Sequence, residues 1–166
     1  VMTNRPFQPG IEPGTFYPID VLTEQDIMDM AVTLVEKRFQ RGNALGSPSA
    51  TRDFLKVKMH GYEHEVFGAI FLDSQHAILS FDLLFRGTID SATIYPREVV
   101  KQALSYNAAA VIFVHNHPSG SAEPSEADKR ITERLVNALT VLDIRVLDHF
   151  VVGGAEVVSF AERGLL

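Results

Sequence analysis

Residues 108–140 read AAAVIFVHNHPSGSAEPSEADKRITERLVNALT, and this stretch decides the fold. Its opening run, 108–114, is apolar and rich in β-branched side chains, which predicts a central strand. The run ends in His115-Asn116-His117-Pro118, and a loop crowded with Ser, Gly and Pro follows to Pro124. Ser125 then opens a long helix, in which Ile131, Leu135, Ala138, Leu139 and Leu142 recur at helical spacing.

Toward the N-terminus, residues 1–18 carry Pro6, Pro9, Gly10, Pro13, Gly14 and Pro18. This punctuation argues against regular structure and predicts a tail or extended arm. Thr23 precedes Glu24, Gln25 and Asp26, an N-cap followed by an acidic first turn. Ile27, Met30, Ala31, Leu34 and Val35 give that first helix its apolar face as far as Phe39 or Arg41, and residues 42–46 break it. Ser49 is the expected cap of a second helix carrying Phe54, Leu55 and Val57, which His60 and Gly61 end. Residues 65–72 read as a buried strand and 76–85 as its hairpin partner, with a third short strand over 92–95. Pro96 suits the first position of a helix whose apolar face is Val99, Val100, Ala103 and Leu104, with Asn107 as its C-cap. Strands over 145–152 and 156–159 and a turn over 160–163 close the chain. Helices and strands mix, and the first two main strands look antiparallel. The expected class is therefore α/β, a mixed β-sheet sandwiched by helices, rather than a doubly wound fold. No G-x-G-x-x-G follows a strand, so a dinucleotide site has no support.

The 166 residues suit one domain with a small appendage, and 46% hydrophobic with 22% charged is the balance of a globular chain. The absence of cysteine removes disulfides, thiolate metal sites and a Cys nucleophile, and it fits a reducing, cytoplasmic setting. No signal peptide and no membrane span are expected. With 15 basic against 21 acidic residues the net charge is −6, a poor balance for a nucleic-acid binder. Arg86, Arg97 and Lys101 make the best local basic cluster, and it is small.

The chemistry sits at the end of the central strand. Residues i and i+2 of a strand share a face, so His115 and His117 can aim both imidazoles at one point. Asp128 falls on the first turn of the following helix. Two imidazoles and one carboxylate leave a fourth position open, the layout of a catalytic rather than a structural zinc. Such an ion lowers the pKa of a water molecule to about 7. A carboxylate must still take the proton. Glu65, opening a buried strand that could lie beside the histidine strand, is the first candidate, with Glu63 in reserve. Ser125 could donate a hydrogen bond to the oxyanion that develops as water attacks a carbonyl.

Each part has a plainer explanation. A His-x-His pair alone is a weak signal. Ser125 with Asp128 is also a helix-capping signature that needs no metal, and the two roles can coexist. Glu65 alone would be a structural charge at a strand end. His149, on a late strand, has packing or hydrogen bonding as its simplest role, and His60, His64 and His76 lie at solvated element ends. Metallo-β-lactamase-like sites continue with Asp-His where Pro118 and Ser119 stand, amidohydrolase barrels need a longer chain, and no His-Glu-x-x-His occurs. The combination, rather than any part, points to a hydrolase.

That combination resembles a known motif. His115 to Asp128 matches the JAMM motif at every position: His-x-His-Pro, six residues, Ser, two residues, Asp. The motif's upstream glutamate falls on Glu65 in Glu65-Val66-Phe67-Gly68. Further stretches, Phe85-Arg86-Gly87-Thr88, Pro96-Arg97-Glu98 and Leu147-Asp148-His149, are similar to the RadC-like branch of the JAB/MPN superfamily. The resemblance divides the chain into a Pro/Gly-rich tail plus helix over 1–46 and an MPN domain over 47–166. It resembles the short form that lacks an N-terminal helix-hairpin-helix module. It implies a cytidine-deaminase-like α/β/α sandwich with one zinc per chain, held by His115, His117 and Asp128, with Glu65 as acid/base and Ser125 as oxyanion stabiliser. The implied substrate is a peptide or isopeptide. The alternative is a DNA-repair-associated accessory or nuclease-like protein of the RadC type. A strand edge near Val157 could pair between subunits, which allows a homodimer.

Overall fold

A computed structural model describes residues 6–45, 47–87 and 94–166. The chain order is β1 (Phe7–Pro9), β2 (Phe16–Pro18), α1 (Glu24–Arg38), α2 (Pro48–Met59), β3 (Val66–Leu72), β4 (Ile78–Arg86), α3 (Pro96–Ser105), β5 (Ala110–Asn116), α4 (Glu126–Thr140), β6 (Arg145–Gly153) and β7 (Glu156–Ser159). Five strands form one mixed sheet in the order β4-β3-β5-β6-β7. Only β5 and β6 run parallel, and α4 connects them. A parallel pair needs such a crossover, because a tight turn can only reverse the chain.

The central position of β5 explains its composition. All seven of its residues are buried, as are all seven of β3. A strand covered on both faces is apolar throughout instead of alternating. One face packs Phe67, Phe71, Val111 and Phe113 against Val99 and Ala103 of α3 and Ile131, Leu135 and Leu139 of α4. The other face packs Val66, Ile70, Ile112 and Val114 against Phe54 and Leu55 of α2. Helices thus cover both faces of a mixed sheet, the layering expected of the JAB/MPN fold. Each fully buried Phe or Leu contributes about 1.5–3 kcal/mol, so these two layers fix the sheet that carries the site.

Local differences from the sequence expectations have physical causes. Residues 1–18 were expected to lack regular structure, yet β1 and β2 pair antiparallel, Phe7 opposite Pro18. Pro9 and Pro18 stand at strand ends, where a missing N–H costs no ladder bond. The turn between the strands is closed by the bond from the Gly10 N–H to the Thr15 carbonyl, 2.8 Å. The cap of α2 is Ser47, not Ser49. Ser47 Oγ accepts from the Ala50 N–H, and Pro48 takes the first helical position. The C-cap of α3 is Tyr106, and Asn107 follows it with a left-handed φ of 53°, a conformation Asn tolerates after a helix. α1 buries no residue fully, and Ile27 and Met28 remain exposed. The strand expected over 92–95 begins outside the described residues. No helix among the described residues is long and apolar enough to cross a membrane.

Candidate metal centre

The site lies where β5 ends. His115 and His117 share the α3/α4 side of the sheet, and α4 delivers Asp128 from its first turn to the same point. His115 Nε2 and His117 Nε2 are 2.9 Å apart. Asp128 Oδ1 lies 3.1 Å from the first, and Oδ2 lies 3.3 Å from the second. One ligand atom from each residue falls within 4.8 Å of the others, so the group could hold a metal ion. Donors around a tetrahedral ion at 2.0–2.1 Å stand about 3.3 Å apart, close to these separations.

Two further observations test whether these residues suit a cation. Asp128 is 0% exposed, and its Oδ1 has no hydrogen-bond partner. A buried carboxylate oxygen without a donor is costly unless a positive charge faces it. His117 Nδ1 lies 2.8 Å from the Ser121 carbonyl, which can only accept, so Nδ1 carries the proton and Nε2 presents a lone pair to the centre. The donor set, two nitrogens and one oxygen, suits a borderline divalent ion such as zinc.

The electrostatics agree. Burial opposes ionisation of Asp128, but the imidazoles of His115 and His117 and the Ser125 N–H outweigh it and hold the carboxyl well below the usual range. The hydrogen bond to Asp128 raises the pKa of His117 against the desolvation that lowers it, and the charge of Glu65 adds to the rise. The cluster thus favours one positive charge at its centre, either a proton or a metal ion.

Neighbouring elements hold this geometry. Ser125 is the N-cap of α4: its Oγ accepts from the Asp128 N–H at 3.1 Å, while Asp128 Oδ2 accepts from the Ser125 N–H at 2.6 Å. That box spends Oδ2 on the backbone and turns Oδ1 toward His115. Antiparallel pairing of β3 with β5 sets Phe67 opposite His115. Glu65 immediately precedes β3, and its charge is felt at His117. Glu63, the reserve candidate, is exposed on the approach to β3. His117 is the open side of the cluster, with 13% of its side chain exposed, whereas His115 has none.

Several contributors were not visible in the motif. Asn116 points to the opposite face from the histidines and is buried. Its Oδ1 accepts from the Val66 N–H at 2.7 Å and its Nδ2 donates to the His64 carbonyl at 3.1 Å. It therefore clamps the backbone on both sides of Glu65. Gly153 ends β6 under the loop that carries Ser121. A Cβ there would stand 2.3 Å from the Ser121 carbonyl carbon and the Ala122 nitrogen, so only glycine lets that carbonyl reach His117. His149 is fully buried between Phe67, Phe113 and Phe160, and its Nε2 lies 2.8 Å from His115 Nδ1. Burial pushes the pKa of His149 well down, which keeps it neutral. The packing or hydrogen-bonding role expected for His149 takes both forms, and one of its hydrogen bonds goes to a candidate ligand.

Residues 45–165 match the family model described as the RadC-like JAB domain. A UPF0758 protein of Vibrio cholerae is 55% identical over 143 residues, covering 86% of this chain and 90% of that protein. A UPF0758 protein of Stutzerimonas stutzeri is 50% identical over 155 residues, 93% of this chain but 67% of the relative. One from Chromohalobacter salexigens is 61% identical over 127 residues, 76% of this chain and 57% of the relative. The chain thus spans 90% of one of these relatives and 57–67% of the other two. The match over the fold, the histidine strand and the capped helix together establishes that this chain belongs to the RadC-like JAB family.

Proposed function

We propose that this chain is a zinc-dependent hydrolase that cleaves a peptide or isopeptide bond, with His115, His117 and Asp128 as ligands, Glu65 as acid/base and Ser125 as oxyanion donor. The observation that carries the reading is the convergence of two imidazole nitrogens on a buried carboxylate, one oxygen of which, Oδ1, no hydrogen bond satisfies. The metal supplies Lewis acidity and a water acidic enough to attack near neutral pH. Glu65, whose charge reaches His117, takes the proton of the attacking water and returns it to the leaving amine. The Ser125 hydroxyl accepts from the Asp128 N–H, which leaves its own proton for the oxyanion that develops on the carbonyl. His117, on the open side, sets the direction of substrate entry.

The DNA-associated alternative gains no observation in its favour. Arg97 Nε and Lys101 Nζ lie 3.4 and 3.2 Å from the Glu98 carboxylate, so two members of the basic cluster face an acid.

Glu65→Gln is the test. It should retain about one zinc per chain and lose activity on peptide or isopeptide substrates by roughly 10²–10⁴-fold, the usual contribution of a general base. Undiminished turnover in that variant would remove Glu65 from the mechanism. Failure of the folded wild-type chain to take up zinc would remove the hydrolase reading itself.

A further inference from the structure

We infer that Thr132 and His149 form a hydrogen-bond relay that fixes the tautomer of His115, and so act as positioning residues for the metal. The inference rests on the metal-centre reading above and extends it to two residues outside the ligand set.

The direction of every bond in the relay can be derived. Thr132 Oγ1 lies 2.6 Å from the Asp128 backbone carbonyl. A carbonyl only accepts, so the hydroxyl proton must sit in that contact. The same hydroxyl oxygen lies 2.6 Å from His149 Nδ1. Its single proton is already committed, so it accepts there, and His149 carries its proton on Nδ1. A neutral His149 then has a bare Nε2. That nitrogen is 2.8 Å from His115 Nδ1, so His115 must donate from Nδ1. Neutral His115 is left with a bare Nε2, the atom that faces Asp128 Oδ1 and His117 Nε2.

The relay begins at the main chain of one ligand, Asp128, and ends at the ring of another, His115. Its geometry comes from three elements. Thr132 lies one helical turn after Asp128 on the buried stripe of α4, β6 sets His149 beside Phe113 of β5, and β5 carries His115 two residues on. Phe160 stacks on His149 with centroids 4.7 Å apart, and Phe67 lies parallel to His115 at 6.2 Å, so neither ring is free to flip into solvent. Water is kept from the chain of bonds, because Thr132, His149 and His115 are each buried. Without the Thr132 hydroxyl, the relay could run backward. His149 would carry its proton on Nε2 and donate to His115 Nδ1, which would move the His115 proton onto Nε2, into the metal position.

The experiment uses the full chain with ¹⁵N-labelled histidine. Zinc affinity is measured by competition with a chelator for wild type, Thr132→Val, Thr132→Ser and His149→Gln. Thr132→Val keeps the side-chain shape and removes the hydroxyl, and should weaken zinc binding roughly 10- to 100-fold, the usual effect of losing such a supporting partner. Thr132→Ser restores the hydroxyl and should bind within a few-fold of wild type. His149→Gln keeps an acceptor for His115 and should fall between them. The second readout needs no metal: the nitrogen chemical shifts of His115 in the zinc-free protein, at a pH high enough to leave His117 neutral. Wild type should show the proton on Nδ1, and Thr132→Val should shift population to Nε2. A His115 proton on Nε2 in the wild type, or wild-type zinc affinity in a folded Thr132→Val, overturns the relay. Absence of zinc binding in wild type with the Nδ1 tautomer intact would instead count against the metal-centre reading and leave the relay standing.

Discussion

Two helices of this chain begin with the same device, and only one of them contributes to a group that could hold a metal ion. α1 opens with Thr23 and Asp26, and α4 opens with Ser125 and Asp128, each a reciprocal capping box. In both, the cap backbone N–H reaches the aspartate Oδ2, at 2.8 Å for Thr23 and 2.6 Å for Ser125. In both, the aspartate N–H returns to the cap hydroxyl, at 3.2 and 3.1 Å. The differences lie in what remains. The Thr23 hydroxyl also donates to Asp26 Oδ2, 2.6 Å away, so that box closes on itself at the surface. Ser125 makes no such bond to Asp128. Asp128 is fully buried, its second oxygen faces His115 while Oδ2 also lies near His117, and the Ser125 proton is left for the opening. A capping box is thus a general way to fix a carboxylate on a first turn. What the carboxylate then does depends on where the sheet puts its neighbours.

The sharpest way to break this comparison is the same substitution in both boxes. Asp128→Asn keeps an oxygen for the cap but loses the negative charge facing the ligand nitrogens. Zinc affinity should fall by at least roughly 100-fold, more than the loss of a supporting residue costs. Asp26→Asn should leave zinc content unchanged and shift the melting temperature only slightly. Equal zinc content in the two variants, measured by elemental analysis of purified protein, would show that Asp128 is only a cap.

Cap removal is the next largest contrast. Thr23→Ala and Ser125→Ala should each cost about 1 kcal/mol of stability, the usual value of a lost N-cap. Only Ser125→Ala should also lower kcat, by roughly 10²–10³-fold with zinc retained, as expected for a lost oxyanion donor. If both variants lose stability alike and turnover is untouched, Ser125 has no part beyond its cap.

This comparison also marks how far the sequence could be read. That His115, His117 and Asp128 come together was legible because β5 and the first turn of α4 are local. Strand alternation puts His115 and His117 on one face, and the S-x-x-D spacing fixes where Asp128 starts its helix. Glu65 needed one long-range assumption, that β3 lies beside β5, and the apolar composition of both strands supplied it. His149 and Thr132 escaped because their roles depend on the register between β5 and β6. That register shifts between Val111 and Ile112, and no local pattern predicts such a shift. Asn116 escaped because its partners are backbone groups at and before the start of β3, and backbone groups leave no mark in a sequence. The hairpin of β1 and β2 was missed for the opposite reason. Its prolines read as breakers, and breakers at the ends of short strands break nothing.

The pH response separates the two sites further. His117 has a raised pKa, so in the metal-free protein its protonated form stabilises the fold fully below pH 6.5 and is lost as pH rises through the raised value. His149 works in the opposite sense and below pH 6.5, since burial disfavours its charge, so the alkaline window belongs to His117. Metal-free protein should therefore lose stability as pH rises above 6.5, and zinc-loaded protein should not, because the ion takes the place of the proton. Denaturant midpoints against pH, with and without zinc, give the comparison. Parallel curves would mean that no proton and metal compete at this centre.

The smallest effect belongs to the surface box. Asp26 has its pKa lowered first by the Thr23 hydroxyl and then by the Thr23 backbone N–H, with no histidine involved. A depressed carboxyl stabilises the fold above its unfolded value of 3.8 and ceases to do so as pH falls through the folded value. Acid should therefore fray the first turn of α1, read as faster hydrogen exchange at Ile27, whose N–H bonds to the Thr23 carbonyl. Thr23→Val, which removes the hydroxyl, should move that onset up toward pH 3.8 and leave the alkaline behaviour of the metal-free protein as it was. An onset unmoved by Thr23→Val would mean that the hydroxyl is not what depresses Asp26. The two boxes would then differ only in their surroundings, because the hydroxyl bond that Thr23 makes and Ser125 lacks would carry no weight.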